Sequence, residues 1–140
     1  MSKGNTFETD SNKLIYNATA ITNLAQNGVS PIGSIQIGLH TSDPGEGGNE
    51  TTNECSYSGY ARLALSRSSG TFSCSGANVS LQGVQFFARA SGSQTATHFH
   101  TGTASSGTGK IFHSGTITPN LIIISGVVPM MRQTTIITED

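Results

Sequence analysis

The amino-acid sequence predicts an all-β fold, a jelly-roll-like sandwich of two sheets with one short N-terminal helix and a polar N-terminal arm. Serine, threonine and glycine contribute 19, 18 and 17 of the 140 residues, which is typical of short strands joined by turns. Only 11% of the residues are charged, whereas disordered chains of low hydrophobicity usually carry many charges. We therefore expect one folded domain over residues 11–140, preceded by an arm over residues 1–10.

One segment near the N-terminus has the apolar spacing of a helix. Asp10 or Ser11 is suited to cap its start, and Asn27-Gly28 is suited to end it. Between them a stripe of apolar residues recurs at helical spacing: Leu14, Ile15, Ala18, Ile21, Leu24 and Ala25. We expect this helix to bury one face against a sheet.

The rest of the chain predicts about eight strands. Residues 35–40 alternate, which points Ile35, Ile37 and Leu39 inward, and Asp43-Pro44-Gly45 follows as a turn. Further strands are expected at 61–65 (with Arg62 outward), 71–74, 79–87 with a bulge at Gly83, 95–101, 110–117, 121–128 and 133–138. Pro119 and Pro129 are expected at strand ends, where a missing amide hydrogen costs least.

The distribution of charge disfavours an enzyme. No Asp or Glu occurs in the 84 residues between Glu54 and Glu139, so the five cations there lack an acidic neighbour in sequence. Most hydrolytic and metal-assisted chemistry needs carboxylates as bases, nucleophiles or ligands. We therefore expect no catalytic residues and no cofactor, and interpret the segregation of charge as polar surfaces of opposite sign that favour association.

Three histidines are the strongest candidates for a metal site. His98 and His100 alternate on one predicted strand, and His113 on a following strand could join them to form a metal site. The spacing is similar to the first cupin motif, but Ala104 and Ser105 stand where that motif has Glu. A cupin-like metal-binding protein is therefore the remote alternative, and two surface histidines flanking a buried Phe99 are favoured. Cys55 and Cys74 are expected to be free thiols.

A series of short motifs resembles one family. These are the segment from Ile37 to Glu46 (IGLHTSDPGE), the pair Asn53-Glu54, the segment from Tyr57 to Arg62 (YSGYAR), Thr97-His98-Phe99, the segment from Gly109 to Gly115 (GKIFHSG) and a closing strand from Thr134 to Thr138. Their order over roughly residues 11–138 resembles small virion proteins of tailed phages, variously described as head-decoration, cement or fibre proteins.

The resemblance implies a capsid cement protein that binds the outside of the phage head and stabilises contacts between major capsid proteins. A tail or fibre component of the virion is the alternative. We expect synthesis in the bacterial cytoplasm, since residues 1–13 lack the apolar segment of a signal peptide. The formal net charge of −1 and the lack of a long apolar segment favour neither nucleic acid nor a membrane as partner.

The expected partners are the major capsid protein and further copies of this chain, with a homodimer favoured over a trimer. Contacts are expected from the arm, from the acidic loop over residues 43–54 and from arginines of opposite charge. The candidate contact residues are Asp43, Glu46, Glu50, Glu54, Arg62, Arg67 and Arg89.

Overall fold

The computed structural model describes residues 5–21 and 32–138, and within them the chain is mostly β with one short helix. The all-β prediction is confirmed: the strands form sheets of four, three and two strands with antiparallel pairing, consistent with a β-sandwich. The elements are α1 (Asn5–Tyr16), β1 (Ser34–His40), β2 (Leu63–Ser66), β3 (Phe72–Ser75), β4 (Asn78–Leu81), β5 (Gln85–Phe86), β6 (Gln94–Gly102), β7 (Ile111–Ile123), β8 (Met130–Met131) and β9 (Ile136–Thr138).

The chain divides into two compact units. The first combines residues 1–33, 66–84 and 132–140, and the second combines residues 34–65 and 85–131. The single domain expected over residues 11–140 stays a prediction. No helix within residues 5–21 and 32–138 is long and apolar enough to cross a bilayer.

The N-terminal helix is confirmed, but its bounds differ from those expected. It begins at Asn5, inside the predicted arm, and ends at Tyr16. Glu8 in the first turn and Lys13 in the last turn suit the helix dipole. Ala18 has a φ of 55°, a left-handed conformation that stops the helix. The expected continuation through Leu24, Ala25 and Asn27-Gly28 lies outside the described residues.

Hydrogen bonds within the first unit satisfy carbonyl groups at the C-terminal end of α1. The amides of Asn17 and Thr19 donate to the carbonyl oxygen of Lys13, at 2.9 and 3.0 Å. The guanidinium of Arg67 donates to the carbonyl oxygens of Leu14 and Ile15. A cation at this end both satisfies unpaired carbonyls and complements the helix dipole.

The sheet of the first unit has the order β3-β4-β9. Strands β3 and β4 form a hairpin that turns at Gly76, whose φ is +58°. The helix packs on it through Tyr16 and Phe72, whose ring centroids are 5.1 Å apart, and both side chains are buried. The helix therefore covers the hairpin, as expected, but the buried side chains are those of Asn12 and Tyr16, whereas Leu14 and Ile15 of the predicted stripe are only half-buried.

The main sheet of the second unit has the order β2-β1-β6-β7. Ile35, Ile37 and Leu39 are buried, which confirms the predicted inward face of β1. However, every residue from Ile35 to His40 is buried, because β1 lies between β2 and β6 and is covered on both faces. Two residues of the second face, Gly38 and His40, belong to the site described below.

Strand β7 is a single strand of 13 residues, whereas the sequence predicts two strands in this region, at 110–117 and 121–128. Its pairing with β6 shifts between Ala96↔Leu121 and His98↔Thr116, where β6 advances by two residues and β7 by five. The extra residues of β7 include Pro119, which follows a cis peptide bond. Pro119 therefore occupies a break in the ladder inside a strand, rather than the strand end that was expected.

The predicted strand over residues 79–87 is also corrected. It is interrupted at residues 82–84, around Gly83, and its two parts join different sheets. The first part, β4, pairs with β3 and β9, and the second part, β5, pairs with β8. Gly83 thus marks a division between sheets and not a bulge within one strand.

Candidate functional site

Arg62 lies at the centre of a buried polar cluster in the second unit. Its Nε and Nη2 atoms donate to the two carboxylate oxygens of Glu54, at 2.6 and 2.7 Å. Its Nη1 atom donates to Glu50 Oε2 at 2.7 Å. Two loop carbonyls, those of Ala104 and Gly107, accept at 2.8 and 2.9 Å. Five contacts match the five N–H donors of a guanidinium, which no lysine could reproduce.

Glu50 is fully buried and closes the other side of the cluster. Besides Arg62, its carboxylate accepts from the backbone amide of Ala104, at 3.1 and 3.2 Å. Two glycines make room for it: a Cβ atom added at Gly102 or Gly109 would lie 1.9 or 2.0 Å from a carboxylate oxygen. The Gly-rich turn between β6 and β7 is therefore shaped around this side chain.

Glu54 connects the cluster to strand β1. Its Oε1 atom also accepts from the hydroxyl of Tyr60 at 2.9 Å, and this hydroxyl in turn accepts from the amide of Leu39 at 3.0 Å. Burial is the main cause that raises the pKa of Tyr60, so the phenol stays protonated and donates. Hydrogen bonds to Glu54 are the main cause that raises the pKa of Arg62.

Two buried histidines form the remaining part of the cluster. His40 Nε2 lies 2.6 Å from His100 Nδ1, and His40 Nδ1 lies 2.8 Å from the carbonyl oxygen of Thr52. Because a carbonyl only accepts, His40 carries its proton on Nδ1 and accepts on Nε2. His100 must then donate from Nδ1, which leaves a lone pair on its own Nε2.

That Nε2 atom of His100 is buried without a hydrogen-bond partner, and Glu50 Oε1 lies 3.9 Å away. Burial, with smaller effects of His40 and Arg62, lowers the pKa of His100 to about 3. Burial also lowers the pKa of His40. Both rings are therefore neutral at neutral pH, and the two carboxylates are balanced within the cluster by Arg62 alone.

Gly38 is required by the position of the His100 ring. The two residues are direct partners across β1 and β6. A Cβ atom at position 38 would lie 2.3 Å from His100 Cε1 and 3.0 Å from the Tyr60 hydroxyl. Since the hydrogen bond to His40 holds the ring, the contact could not be relieved by a small rotation.

The structure does not assemble the three predicted metal ligands. His98 and His100 share a face of β6, as expected, but His113 lies opposite Thr101 and therefore on the other face of the sheet. His98 instead contacts the hydroxyls of Thr97 and Thr116, at 2.9 and 3.3 Å. Within residues 5–21 and 32–138, no group of three His, Cys, Asp or Glu side chains is arranged to hold a metal ion.

Both cysteines are free thiols, which confirms the prediction. Cys55 is buried, and this burial, with a smaller effect of Glu54, raises its pKa to about 11. Burial also raises the pKa of Cys74, which is half-buried. Both side chains are therefore thiols rather than thiolates at neutral pH, and thiols are weak nucleophiles.

The structure corrects the expected orientation of Arg62. Its side chain points inward to Glu50 and Glu54, two residues of the acidic loop that was expected to face a partner. These opposite charges meet inside one chain because the loop folds back onto the turn between β6 and β7, where Glu50 contacts Ala104 and Gly109. Arg67 likewise binds the end of α1. Contact of these four residues with a partner stays a prediction, but their principal contacts are internal.

Asp43, Glu46 and Arg89 remain exposed. Asp43 accepts from the amide of Gly45 at 2.9 Å, and Gly45 has a φ of +69°, which confirms the predicted turn. Asp43 and Glu46 also line a shallow cleft of about 350 Å³ together with Gly45, Gly48, Ile111, Phe112 and Ser114. Arg89 donates to the carbonyl oxygen of Gly126 at 3.1 Å.

Chemically, the cluster acts as an internal cross-link. Its members come from β1, the loop over residues 41–62, β6 and the turn after β6, so that one set of polar contacts ties distant segments together. Glu50, His40 and His100 are fully buried, and no substrate could reach them while the unit is folded. The expectation that the chain is not an enzyme stays a prediction.

Most of the chain is similar to a known protein family. A family model described as Podophage GP4 fiber I protein gp80 matches residues 11–137. No curated protein matches the chain. The matched range includes every residue of the buried cluster.

Substitution of Gly38 by alanine is expected to destabilise the protein by about 1–3 kcal/mol, because the new methyl group overlaps the His100 ring. Chemical denaturation measures this loss. Gly47→Ala is the matched control, since no atom lies within 4 Å of the added Cβ. In a His100→Ala background, the Gly38→Ala substitution should cost much less. An equal cost in both backgrounds would contradict the contact.

The free energy of unfolding is expected to fall as the pH is lowered from about 6.5. The folded-state pKa of His100 is about 3, below that of a free histidine, so the unfolded chain binds more protons between these values. The stability contributed by the neutral ring is thus present above pH 6.5 and is lost as the pH falls towards 3. The loss is at most about 1.4 kcal/mol per pH unit for each such histidine.

This slope is measured by denaturation between pH 7 and pH 5.5, before most carboxylates begin to titrate. His100→Gln should flatten the slope and leave only the share of His40. An identical slope in the variant, or a stability independent of pH over this window in the wild type, would contradict the assignment.

Proposed function

The chain belongs to the Podophage GP4 fiber I protein gp80 family and is a structural protein of a tailed-phage virion, and from this premise we propose that it is a component of the fibre apparatus. The observation that carries the proposal is the match over residues 11–137, which spans both compact units. The fibre alternative therefore takes precedence over the capsid cement role that the sequence favoured.

The buried cluster supports a structural role of this kind. A subunit of an external virion appendage has to keep its shape outside the cell, and a buried network of hydrogen bonds and ion pairs restrains the segments it joins. In the second unit, Arg62 binds the carboxylates of Glu50 and Glu54 and also the carbonyl oxygen of Ala104. These contacts restrain the loop over residues 41–62 against the turn after β6. This arrangement favours a rigid building block.

Contact with other virion proteins is proposed for the charges that remain exposed. Asp43 and Glu46 at the shallow cleft offer two carboxylates beside the ring of Phe112, a surface suited to a cationic side chain of a neighbour. Arg89 offers the opposite charge. The neighbour is a fibre or tail protein if the chain is a fibre component, and the major capsid protein if it is a cement protein.

The location in the virion is tested by counting and by labelling. Quantitative mass spectrometry of purified particles gives the copy number of the chain relative to the major capsid protein, and gold-labelled antibodies show its position. A fibre component is expected at a small fraction of the capsid protein, with label at the tail end. A fixed ratio near that of the capsid protein, with label over the head, would contradict the fibre role and support capsid cement.

A further inference from the structure

One nitrogen atom of the buried histidine pair has no hydrogen-bond partner. His40 donates from Nδ1 to the carbonyl oxygen of Thr52 and accepts on Nε2 from Nδ1 of His100. The remaining ring nitrogen, Nε2 of His100, keeps an unused lone pair. An added proton can bind at this atom without breaking a hydrogen bond, whereas a proton on Nε2 of His40 would separate the two rings.

The carboxylate of Glu50 lies beside this nitrogen atom. Its Oε1 atom is 3.9 Å from Nε2 of His100, and both side chains are fully buried. A charge-assisted hydrogen bond between nitrogen and oxygen measures about 2.7–2.9 Å, so the two atoms are about 1 Å too far apart to form one. A proton on Nε2 would therefore attract the carboxylate, and Glu50 would have to move to bind it.

In the structure, the same carboxylate holds the turn between β6 and β7. Both of its oxygen atoms accept from the amide of Ala104, at 3.1 and 3.2 Å, and Oε2 accepts from Arg62 at 2.7 Å. The contacts with the amide are long for an ionised acceptor, so they are the weaker part of the set. We therefore expect a movement of Glu50 towards His100 to be made at the expense of the Ala104 amide.

The balance of charge favours a defined protonated state of the cluster. With neutral histidines, Glu50 and Glu54 carry two negative charges and Arg62 one positive charge, which leaves a formal charge of −1. One added proton brings this charge to zero. Burial, with smaller effects of His40 and Arg62, lowers the pKa of His100 to about 3 in the present arrangement. A close contact with Glu50 would raise this pKa back towards about 6.5, the value of a free histidine.

Other ionisable groups near the pair are committed elsewhere. They are His98, Glu54, Arg62, Tyr60, Cys55 and the exposed Lys110 of the turn. Glu54 and Arg62 bind each other, and His98 contacts the hydroxyls of two threonines. Burial raises the pKa values of Tyr60 and Cys55, so both side chains stay neutral in acid. The carboxylate of Glu50 is therefore the group placed to bind a protonated His100.

We propose that Glu50 and His100 form a proton-operated switch that loosens the turn between β6 and β7. When a proton from the solvent binds Nε2 of His100, the Glu50 carboxylate moves to the ring and the Ala104 amide loses its acceptor. Arg62 keeps its contacts with two carbonyl oxygens of the turn, so the turn loosens without detaching.

The switch acts next to the shallow cleft. Glu50 lies on the loop that contributes Glu46 and Gly48 to the cleft, and the turn leads directly into Ile111 and Phe112 on its other side. Loosening the turn in acid therefore changes the shape of this surface. The proposal goes beyond the fibre role and does not rest on it, because it concerns the purified chain in solution.

The test is an NMR titration of the isotopically labelled full chain from pH 7.5 to pH 3. The ring of His100 is expected to titrate with a midpoint between about 3 and about 6.5. The Ala104 amide should change with the same midpoint. Its hydrogen exchange, corrected for the intrinsic effect of pH, should become about tenfold faster or more. The amides of Phe87 and Ala90, which donate to backbone carbonyls of the same unit, should stay protected.

Two variants assign the effect to one nitrogen atom. His100→Asn can place an amide nitrogen where histidine has Nδ1 but has no atom in the place of Nε2, so the change at Ala104 should be lost. His98→Asn, two residues earlier on β6, is the matched control and should retain the change. If the change at Ala104 persists in His100→Asn, protonation of a carboxylate explains it and the proposal is wrong.

Three results in the wild type would overturn the proposal without any variant. The first is a His100 ring that does not titrate while the chain is folded. The second is a titration of His100 that leaves the Ala104 amide unchanged. The third is a simultaneous loss of protection at Ala104, Phe87 and Ala90, because acid would then unfold the whole unit rather than loosen one turn.

Discussion

The guanidinium of Arg62, held between Glu50 and Glu54, is the contact on which the order of the second unit depends. Each partner requires the others, because removing one would leave a charge buried without compensation. The glycines around the cluster follow from the same constraint: Gly102 and Gly109 leave space for the Glu50 carboxylate, and Gly38 leaves space for the His100 ring. The path of the acidic loop and the positions of these glycines are thus both consequences of the buried cluster around Arg62.

The sequence predicts the parts of the fold that depend on local pattern. The alternation in β1 locates Ile35, Ile37 and Leu39 in the core, and the Asp-Pro-Gly turn follows from the conformational preferences of its residues. The second face of β1 could not be predicted in this way. Gly38 and His40 are buried only because β6 lies beside them in one register, and pairing between residues about 60 positions apart leaves no local signal.

The candidate site shows the same limit. The long stretch without acids after Glu54 leaves Arg62 without an adjacent acidic residue in the sequence, yet its partners lie 8 and 12 residues earlier, on a loop that folds back. One sequence pattern does contain residues of the cluster: Tyr60 and Arg62, two positions apart, follow Glu54 and belong to a motif of the family resemblance. Composition alone gives no reason to expect that these residues contact each other. His113 failed as a ligand for a simple geometric reason, since its register against Thr101 turns it to the other face. The motifs indicate a virion protein of a tailed phage, but they do not distinguish a head protein from a fibre protein, and the capsid cement role that they favoured is not the one that the family model describes.

A double-mutant cycle between Arg62 and Glu50 tests most directly the claim that these charges act as one unit. Arg62→Met alone should cost about 3–5 kcal/mol, because it leaves the buried carboxylate of Glu50 and the half-buried carboxylate of Glu54 without a cation. Glu50→Gln should cost far less in the Arg62→Met background than in the wild type, with a coupling energy of about 1 kcal/mol or more. Costs that add to within about 0.5 kcal/mol would contradict the account, since residues that share no interaction behave in that way.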